Sequence, residues 1–498
     1  RLNSSAASDV YKRQEYIKHK KNIDTFILKR NILRIPLKSE LKTQLLSPYK
    51  FLSDKFYKKS KSPSFPEYKI RFRNNNFEEF TKLNNKDWVN LFGKFESEYL
   101  PSNSNLAMKY HGHQFRVYNP EIGDGRGFTI AQFYKDKKLF DLGTKGSGKT
   151  VYSRSGDGRL TLKGGVREVL CSSYLEAMGL KTSRSLSLIE TGEDLYRSDE
   201  PSPTRSSVLV RISHSHIRIG TFQYHAYHQD NQSLEKLIKS VGKYYFSFSD
   251  VENTPLNFFS LVVQNCAKLA ASYNIFGFVH GVLNTDNINI TGESFDYGPY
   301  RMMEKYDPEK VAAYFDHSGL YKFSNQVDSI FWNVQQLASI MTLFIEKELI
   351  IEELKKYIEL YNEEVIKLFF KRLSLKPSKL QLHNQKLLND IYEILLKSPY
   401  LYEEVYNDLR GGRQRLNIQN EIKHKYKNYD LDTIFKNHEI FNNLDIKSLT
   451  QIPKETLLYD EIEKIWHDID NNDDWSLFNK KIDSINIFKQ ANINHGLG

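Results

Sequence analysis

The chain has 498 residues and carries 71 Lys and Arg against 61 Asp and Glu, a formal net charge of +10. Hydrophobic residues make up 40%, which allows a sizeable core and excludes a wholly disordered chain. The length fits a bilobal enzyme or two to three domains. The positive charge would suit an anionic partner, but Lys and Asn are abundant everywhere, so a general compositional bias explains it better. No nucleic-acid partner is expected.

The cysteine content indicates the redox compartment of the protein, and the length of its apolar runs indicates whether it could span a membrane. The two cysteines, Cys171 and Cys266, exclude a disulfide scaffold and a cysteine-rich zinc site, and favour a reducing compartment such as the cytoplasm or the mitochondrion. No apolar run reaches the ~18–20 residues of a membrane span, so none is expected. Residues 1–14 read like a cloning or assembly scar, and the natural N-terminus is expected to be missing.

The chain divides into four predicted segments. Residues 1–104 have weak periodicity and are predicted to be an N-terminal extension packed on the main domain. Residues 105–223 are predicted to form an N-terminal lobe of strands, because apolar runs alternate with glycine turns at 128–133, 138–142, 186–189 and 208–212. One helix interrupts these strands, with Val166, Leu170 and Leu175 near helical spacing and Gly179 as its C-cap.

Residues 224–349 are predicted to form a helical C-terminal lobe. Thr254 is a predicted N-cap and Pro255 the first helical residue of a helix that runs to 273. A second helix is predicted over 327–349. Between the two helices, Gly277 begins a strand-and-loop insertion that ends near Pro299. The final segment, residues 350–498, is predicted to be mainly helical and shows no residues that suggest chemistry.

The stretch from Gly143 to Thr150 matches the phosphate-binding pattern GxxxxGK[ST]. A true P-loop needs a helix directly after its Lys-Thr pair, so that the helical N-terminus can hold phosphate. Here two glycines, Gly156 and Gly158, follow within a polar run, which disfavours that helix. We therefore interpret the match as a coincidence and expect Lys145, rather than Lys149, to face phosphate.

The strongest chemical pattern lies in the second half, from His280 to Gly298. Ile288 and Ile290 alternate with polar residues before a Gly-Glu turn, which predicts a short hairpin with Asn287 and Asp296 on its two arms. An amide oxygen and a carboxylate brought together suit Mg²⁺, which binds hard oxygen ligands and leaves positions for phosphate. Asp286 could orient or deprotonate an attacking hydroxyl. Protein kinases use an Asp, an Asn and an Asp-Phe-Gly in this way.

The first half supplies complementary groups. Lys145 ends a predicted strand and Glu168 lies 23 residues later on the predicted helix, the arrangement by which kinases hold phosphates. The tetrapeptide Gly-Asp-Gly-Arg occurs twice, at 123–126 and 156–159, and glycines with an arginine suit phosphate contact. Arg211 and Arg218 would suit a polyphosphate, although a basic strand edge explains their spacing equally well.

These motifs together resemble the selenoprotein O (YdiU-like) family of pseudokinases. The resemblance is carried by Tyr110–Phe115, Gly123–Arg126, Lys145–Thr150, Ser153–Arg159, Arg167–Ser172, Val210–Phe222, His280–Asn287 and Asp296–Gly298, in this order, and is strong across 105–330. It implies an α+β, protein-kinase-like bilobal fold with a mostly helical C-terminal region. It also implies transfer of AMP from ATP to Ser, Thr or Tyr hydroxyls of proteins, with Mg²⁺ or Mn²⁺.

The resemblance also implies roles for individual residues. The nucleotide contacts would be Gly123, Gly125, Arg126, Lys145, Asp157, Gly158, Arg211, Arg218 and Asp296. Glu168 would pair with Lys145, Asp286 would be the general base, and Asn287 and Asp296 would bind the metal. The expected enzyme is a monomeric protein adenylyltransferase. Two alternatives stay open: a conventional protein kinase that transfers the γ-phosphate, and a nucleotide-binding pseudokinase scaffold.

Overall fold

The computed structural model describes residues 45–198, 200–441 and 445–496. The segment interpreted above as a scar lies outside the described residues. The fold is α+β, as predicted, and begins with an antiparallel sheet of eight strands. The strands are β1 (Tyr57–Lys59), β2 (Lys69–Arg73), β3 (Leu106–Met108), β6 (Thr129–Lys135), β7 (Lys138–Lys145), β8 (Leu160–Thr161), β9 (Arg184–Leu195) and β10 (Thr204–Ser213). Two short helices, α1 (Glu78–Thr81) and α2 (Asn85–Phe92), precede β3, and a separate two-stranded hairpin, β4 (Gly112–Gln114) and β5 (Val117–Asn119), follows it.

The strand order is β1-β3-β6-β7-β10-β9-β2, and β8 pairs with β10. All four predicted strands are present, as β6, β7, β9 and β10. The turn between β6 and β7 consists of Asp136 and Lys137, both in the left-handed region, which matches the twist of a tight hairpin. The stretch before residue 105, expected to be an extension, supplies β1 and β2 to the two edges of this sheet.

Helix α3 (Leu162–Ala177) packs on β9 and β10 and carries Glu168. The Thr161 hydroxyl caps its start by accepting a hydrogen bond from the Gly164 amide at 3.1 Å. Its end is marked by Gly179 at φ +89°, so the predicted glycine terminates the helix in the left-handed conformation that glycine adopts without steric cost.

The second lobe is mainly helical. Its helices are α4 (Ile219–Tyr227), α5 (Asn231–Tyr244), α6 (Pro255–Ile275), α7 (Gln326–Met341) and α8 (Lys347–Arg372). The predicted cap is confirmed, since the Thr254 side chain accepts a hydrogen bond from Asn257 N and Pro255 is the first helical residue. The single helix predicted over 327–349 is wrong. Thr342 ends α7, and Phe344 and Ile345 leave the helical path to pack against the core.

The segment between α6 and α7 also differs from expectation. Strands β11 (Phe278–Val279) and β12 (Arg301–Met302) pair, and a 3₁₀ turn covers Thr285–Asn287. The predicted hairpin with Asn287 and Asp296 on paired arms is wrong. Ile288 and Ile290 are fully buried, and their backbone groups bond to Ile219 and Ile217 respectively, across the lobe. The backbone of residues 288–290 therefore pairs with Ile217 and Ile219, at the start of α4. It does not pair with the segment around Asp296.

The C-terminal region is helical, as predicted. A 3₁₀ turn at Phe323–Asn325 precedes α7. Following α8, the C-terminal region contains α9 (Gln381–Lys397), α10 (Tyr402–Leu409), α11 (Gly412–Leu416), α12 (Asn420–Lys425), α13 (Leu431–Ile434), α14 (Ile446–Leu449), α15 (Tyr459–Asn472) and α16 (Ser476–Asn494). None of the helices in the described ranges has both the length and the apolar character needed to cross a bilayer.

The last two helices return to the first lobe and pack on α3. Lys163 Nζ lies 2.7 Å from Glu463 Oε2, and Lys489 Nζ lies 2.9 Å from Glu176 Oε2. Asn492 Nδ2 donates a hydrogen bond to the carbonyl of Ala177 at 2.9 Å. The helix that carries Glu168 is therefore held by residues near the far end of the chain.

Candidate active site

A cleft of about 680 Å³ lies where the glycine-rich loops of the first lobe face the 3₁₀ turn of the second. Eight of the residues predicted to contact the nucleotide or to act in catalysis line it: Gly123, Gly125, Arg126, Asp157, Gly158, Arg218, Asp286 and Asp296. Three others lie behind the lining and reach it through side-chain contacts: Lys145, Glu168 and Arg211. The structure thus brings together residues that are up to 173 positions apart in the chain.

Lys145, at the end of β7, connects the two lobes. Its ammonium pairs with the carboxylate of Glu168 on α3 and lies 2.6 Å from Oδ1 of Asp296. Lys145 and Glu168 are buried, and Asp296 is 20% exposed toward the cleft. Burial raises the pKa of Asp296, but Lys145 and the neighbouring arginines outweigh it and hold that pKa well below its usual value. Asp296 is therefore a carboxylate.

Two buried arginines flank this carboxylate. Arg211 Nη1 lies 3.4 Å from Asp296 Oδ1, and Arg218 Nη1 donates a hydrogen bond to the Asp286 carbonyl at 3.1 Å. The ring of Phe295 lies 5.3 Å from the Arg211 guanidinium and 5.0 Å from that of Arg218, so it holds both planes in position. Both guanidinium groups are therefore buried near Asp286 and Asp296, and neither lies on an exposed strand edge.

The two Gly-Asp-Gly-Arg loops are tied to each other by the segment 150–153. The Thr150 hydroxyl donates a hydrogen bond to the Asp124 carbonyl at 2.6 Å. A Cβ atom at Gly123 would lie 2.6 Å from Cγ of Tyr152, so this position admits only glycine at the observed spacing. Gly123 and Gly125 both line the cleft, so the first loop contributes backbone to its wall.

The turn that carries Asp286 is fixed by the β4–β5 hairpin. Backbone amides of His113 and Phe115 donate hydrogen bonds to the side chains of Thr285 and Asn284, at 2.7 and 3.0 Å. A Cβ atom at Gly112 would lie 2.7 Å from Asp286 Oδ1, so the strand passes directly beside this carboxylate. Burial raises the pKa of Asp286 to about 6, although the Arg218 charge opposes the shift.

Asn287 occupies a less direct position than predicted. Its Nδ2 donates a hydrogen bond to the Val282 carbonyl at 3.0 Å, the side chain is half-buried, and it does not line the cleft. Lys149 is exposed, and the nearest helix after it begins only at Leu162. The helix that a P-loop needs directly after its Lys-Thr pair is therefore not present in residues 151–161, as expected from the sequence.

Sequence reasoning assigned no role to several residues of the cleft. Asp124 pairs with Arg218 at 3.1 Å, and the ring of Tyr110 lies 4.4 Å from the same guanidinium. Arg197 pairs with Asp157 at 2.8 Å. Asp124 lies within the repeated tetrapeptide and could have been found there. Tyr110 opens one of the stretches that carry the resemblance, and nothing in the sequence pattern marks Arg197.

The lysine–glutamate pair, the glycine-rich loops and the Asp-bearing turn define a kinase-like nucleotide-binding enzyme. A family model described as "Protein adenylyltransferase SelO" matches residues 40–486. The chain belongs to this family, which confirms the family and the nucleotidyltransferase class predicted from the sequence.

Relatives named "Protein nucleotidyltransferase YdiU" agree with this family. The chain is 38% identical to the one from Synechocystis sp. over 470 residues, covering 87% of this chain and 96% of the relative. It is 39% identical to the one from Trichodesmium erythraeum over 458 residues, covering 86% and 95%. Over a shorter stretch of 282 residues it is 49% identical to the one from Gloeobacter violaceus, covering 55% and 58%.

Proposed function

We propose that this chain transfers AMP from ATP to Ser, Thr or Tyr hydroxyls of proteins and releases pyrophosphate. The observation that carries the proposal is the concentration of cations at one end of the cleft. Arg126, Lys145, Arg211 and Arg218 all act electrostatically on the single carboxylate of Asp296. Family membership supports the same reaction, since the matched family model is described as a protein adenylyltransferase.

The cation cluster favours pyrophosphate as the leaving group. An enzyme that releases ADP must leave the γ-phosphate of the bound ATP open to the acceptor. An enzyme that releases pyrophosphate needs the β- and γ-phosphates under positive charge, so that the charge developing on the leaving group is stabilised. Arg211 and Arg218 are additions to the Lys-Glu pair of ordinary kinases, and their forked donors suit phosphate oxygens.

The residues present fit a bound Mg²⁺–ATP complex. Oδ1 of Asp286 and the Nε atoms of Arg211 and Arg218 are buried and make no hydrogen bond to the described residues. Buried polar atoms without partners are costly, and phosphate oxygens and metal-bound water would satisfy them. In the described ranges no group of three or more His, Cys, Asp or Glu is arranged to hold a metal. The cation would therefore share Asp296, and the Asn287 amide oxygen, with the phosphates, whose charge it would neutralise.

Asp286 is the proposed general base. The acceptor oxygen attacks the α-phosphorus, a new P–O bond forms, and the bond to the β-phosphate oxygen breaks. The hydroxyl proton passes to the Asp286 carboxylate, which lines the cleft and whose position is fixed by the β4–β5 hairpin. Lys145 and the arginines hold the departing pyrophosphate.

The experiment that tests this proposal compares ATP labelled at the α-phosphate with ATP labelled at the γ-phosphate. Label from α-³²P-ATP on an acceptor protein, with a mass increase equal to AMP, is expected. Label from γ-³²P-ATP alone, with ADP as the product, would support the conventional kinase instead. Nucleotide binding without either transfer would support the pseudokinase scaffold.

A further inference from the structure

An exposed aromatic surface adjoins the Asp286 turn and is used by none of the steps above. It consists of the tip of the β4–β5 hairpin, Phe115 to Val117, and the pair Tyr314 and Phe315 from the segment before α7. Val117 is 71% exposed, Tyr314 72% and Phe315 43%. The Phe315 ring lies 5.1 Å from that of Tyr314 and 5.8 Å from that of Phe115, so the two segments form one continuous surface. We call it the tip platform.

The tip platform is connected to the catalytic turn by direct hydrogen bonds. The Phe115 amide and the Tyr321 hydroxyl both donate to Oδ1 of Asn284, at 3.0 and 2.8 Å. The rings of Phe115 and Tyr321 lie 4.9 Å apart. Asn284 is two residues before Asp286, so the position of the platform relative to the proposed base is fixed.

The tip of the hairpin is a tight two-residue turn with the same backbone as the turn between β6 and β7. Phe115 and Arg116 have φ values of +49° and +64°, both in the left-handed region. Two consecutive left-handed residues form the tight turn that Asn-Gly adopts most easily, and a bulky residue there is strained. The turn presents the Phe115 ring and the exposed Arg116 guanidinium beside the segment that carries Asp286.

Charge at the platform is positive. Arg116 is exposed, and its guanidinium lies 5.4 Å from the Trp332 ring. Within the described part of the chain no carboxylate lies within ion-pairing distance of Arg116. The nearest acidic residue of the platform segment, Asp316, is buried and accepts hydrogen bonds from the amides of Leu320 and Tyr321. An acidic side chain on a partner is therefore the complement that this surface lacks.

We propose that the tip platform docks the acceptor protein, and that it selects a hydroxyl-bearing segment with an acidic residue and an aromatic or aliphatic residue close to the hydroxyl. The acidic residue pairs with Arg116, and the apolar residue packs on Phe115, Tyr314 and Phe315. This inference rests on the proposed function, because it identifies the segment that delivers the hydroxyl to Asp286. Large exposed apolar surfaces beside a functional cleft are typical of such contacts.

The first measurement uses peptide libraries in which Ser, Thr or Tyr is fixed and the flanking positions vary. Transfer from α-³²P-ATP should select Asp or Glu together with an apolar residue. The variant Arg116→Glu should raise KM for acidic peptides at least tenfold, leave kcat nearly unchanged and favour peptides with Lys. Arg116→Gly, which also relieves the backbone, should abolish the charge preference without inverting it. Lys236→Glu, on the exposed face of α5, is the matched control and should change neither KM nor the charge preference.

A second pair of variants tests the aromatic part. Tyr314→Ala should raise KM for the selected peptides severalfold, whereas Tyr134→Ala, a similarly exposed tyrosine at the end of β6, should not. The affinity for ATP should be unchanged in both. Transfer by the parent enzyme that ignores flanking charge, or Arg116 variants that match the parent, would overturn the docking surface and leave the proposed function intact. Absence of AMP transfer to any acceptor would overturn both.

Discussion

The ammonium nitrogen of Lys145 lies 2.6 Å from Oδ1 of Asp296, so a lysine of the strand lobe is paired with a carboxylate of the helical lobe. Glu168 is the second partner of the same ammonium. A nucleotide that enters the cleft therefore meets a preassembled lysine with one partner on each lobe. This geometry makes each of the three residues separately testable.

Replacing Asp296 with alanine should abolish transfer while the protein stays folded. The loss should be at least about a hundredfold, since a preorganised charge at the reacting phosphates is removed. The fold should survive because Lys145 keeps Glu168 as a partner. Transfer of α-³²P and thermal unfolding measure the two effects, with the exposed Asp250→Ala as control. Normal turnover of Asp296→Ala, at a Mg²⁺ concentration that just supports the parent, would contradict this role.

Lys145 and Lys149 should respond differently to the same substitution. Lys145→Ala should lower transfer at least about a hundredfold, because a buried charge-stabilising donor is lost. Lys149→Ala should stay within about twofold of the parent, because that side chain is exposed and the loop is not followed by a helix. Steady-state assays at saturating ATP compare the two. The opposite ranking would support the phosphate-binding-loop interpretation instead.

Substitution of either buried arginine should weaken the stabilisation of the leaving group. Arg211→Gln and Arg218→Gln should each lower transfer about tenfold or more, and should also weaken inhibition by added pyrophosphate. The exposed Arg413→Gln in α11 provides the control. Chromatography of the nucleotide products identifies the reaction. ADP as the sole product would show that these arginines serve a different leaving group.

The stability of the protein should fall in mild acid, partly through His225. Burial lowers the pKa of this histidine to about 4, with Lys109, His228 and Lys55 acting in the same direction and Asp230 opposing them. A histidine whose folded-state pKa lies below the ordinary 6.5 stabilises the fold fully above pH 6.5. That contribution, up to about 3 kcal/mol, is lost progressively as the pH falls to about 4.

Urea unfolding at pH 7.5 and pH 5.0 measures this loss. The variant His225→Gln, which cannot take up a proton, should show a smaller difference between the two pH values than the parent. An equal difference in both proteins would mean that other groups carry the acid sensitivity.

Charge reversal tests whether the C-terminal helices hold α3. Glu463→Lys should lower the free energy of unfolding by about 0.5–1 kcal/mol, since its partner Lys163 is only partly exposed. It should also raise KM for ATP, because α3 carries Glu168. The double exchange Lys163→Glu with Glu463→Lys should restore both values. A double variant that behaves as the sum of the single variants would show that this ion pair does not couple the helices.

Much of the fold follows from local pattern. The strands β6, β7, β9 and β10 and the start of α6 were predicted because apolar alternation and the Thr254-Pro255 cap are local signals. The edge strands β1 and β2 were not predicted, because each is short, polar and defined only by its partner. The hairpin at 287–296 failed for the same reason: Ile288 and Ile290 bond to residues about 70 positions earlier in the chain.

The residues that would carry out the chemistry were easier to predict from the sequence than the residues that hold them in position. Residues with charge or glycine in distinctive motifs, such as Lys145 and Asp286, line or adjoin the cleft. The residues that orient them are ordinary in sequence. Phe295 fixes two guanidinium planes, and Asn284 links the tip platform to the catalytic turn. Both lie within the stretch from His280 to Gly298, but nothing in the sequence pattern predicts these contacts.

The packing of α16 on α3 has a consequence for synthesis. Asn492 bonds to Ala177 across 315 positions, and Lys163 pairs with Glu463 across 300. Contacts of such long sequence separation form late, because the chain entropy of a large loop must be lost first. A chain whose α16 is still inside the ribosome lacks the helix that secures α3. Competence for catalysis should therefore arise only after α16 has left the ribosome, and shorter nascent chains should not modify their surroundings.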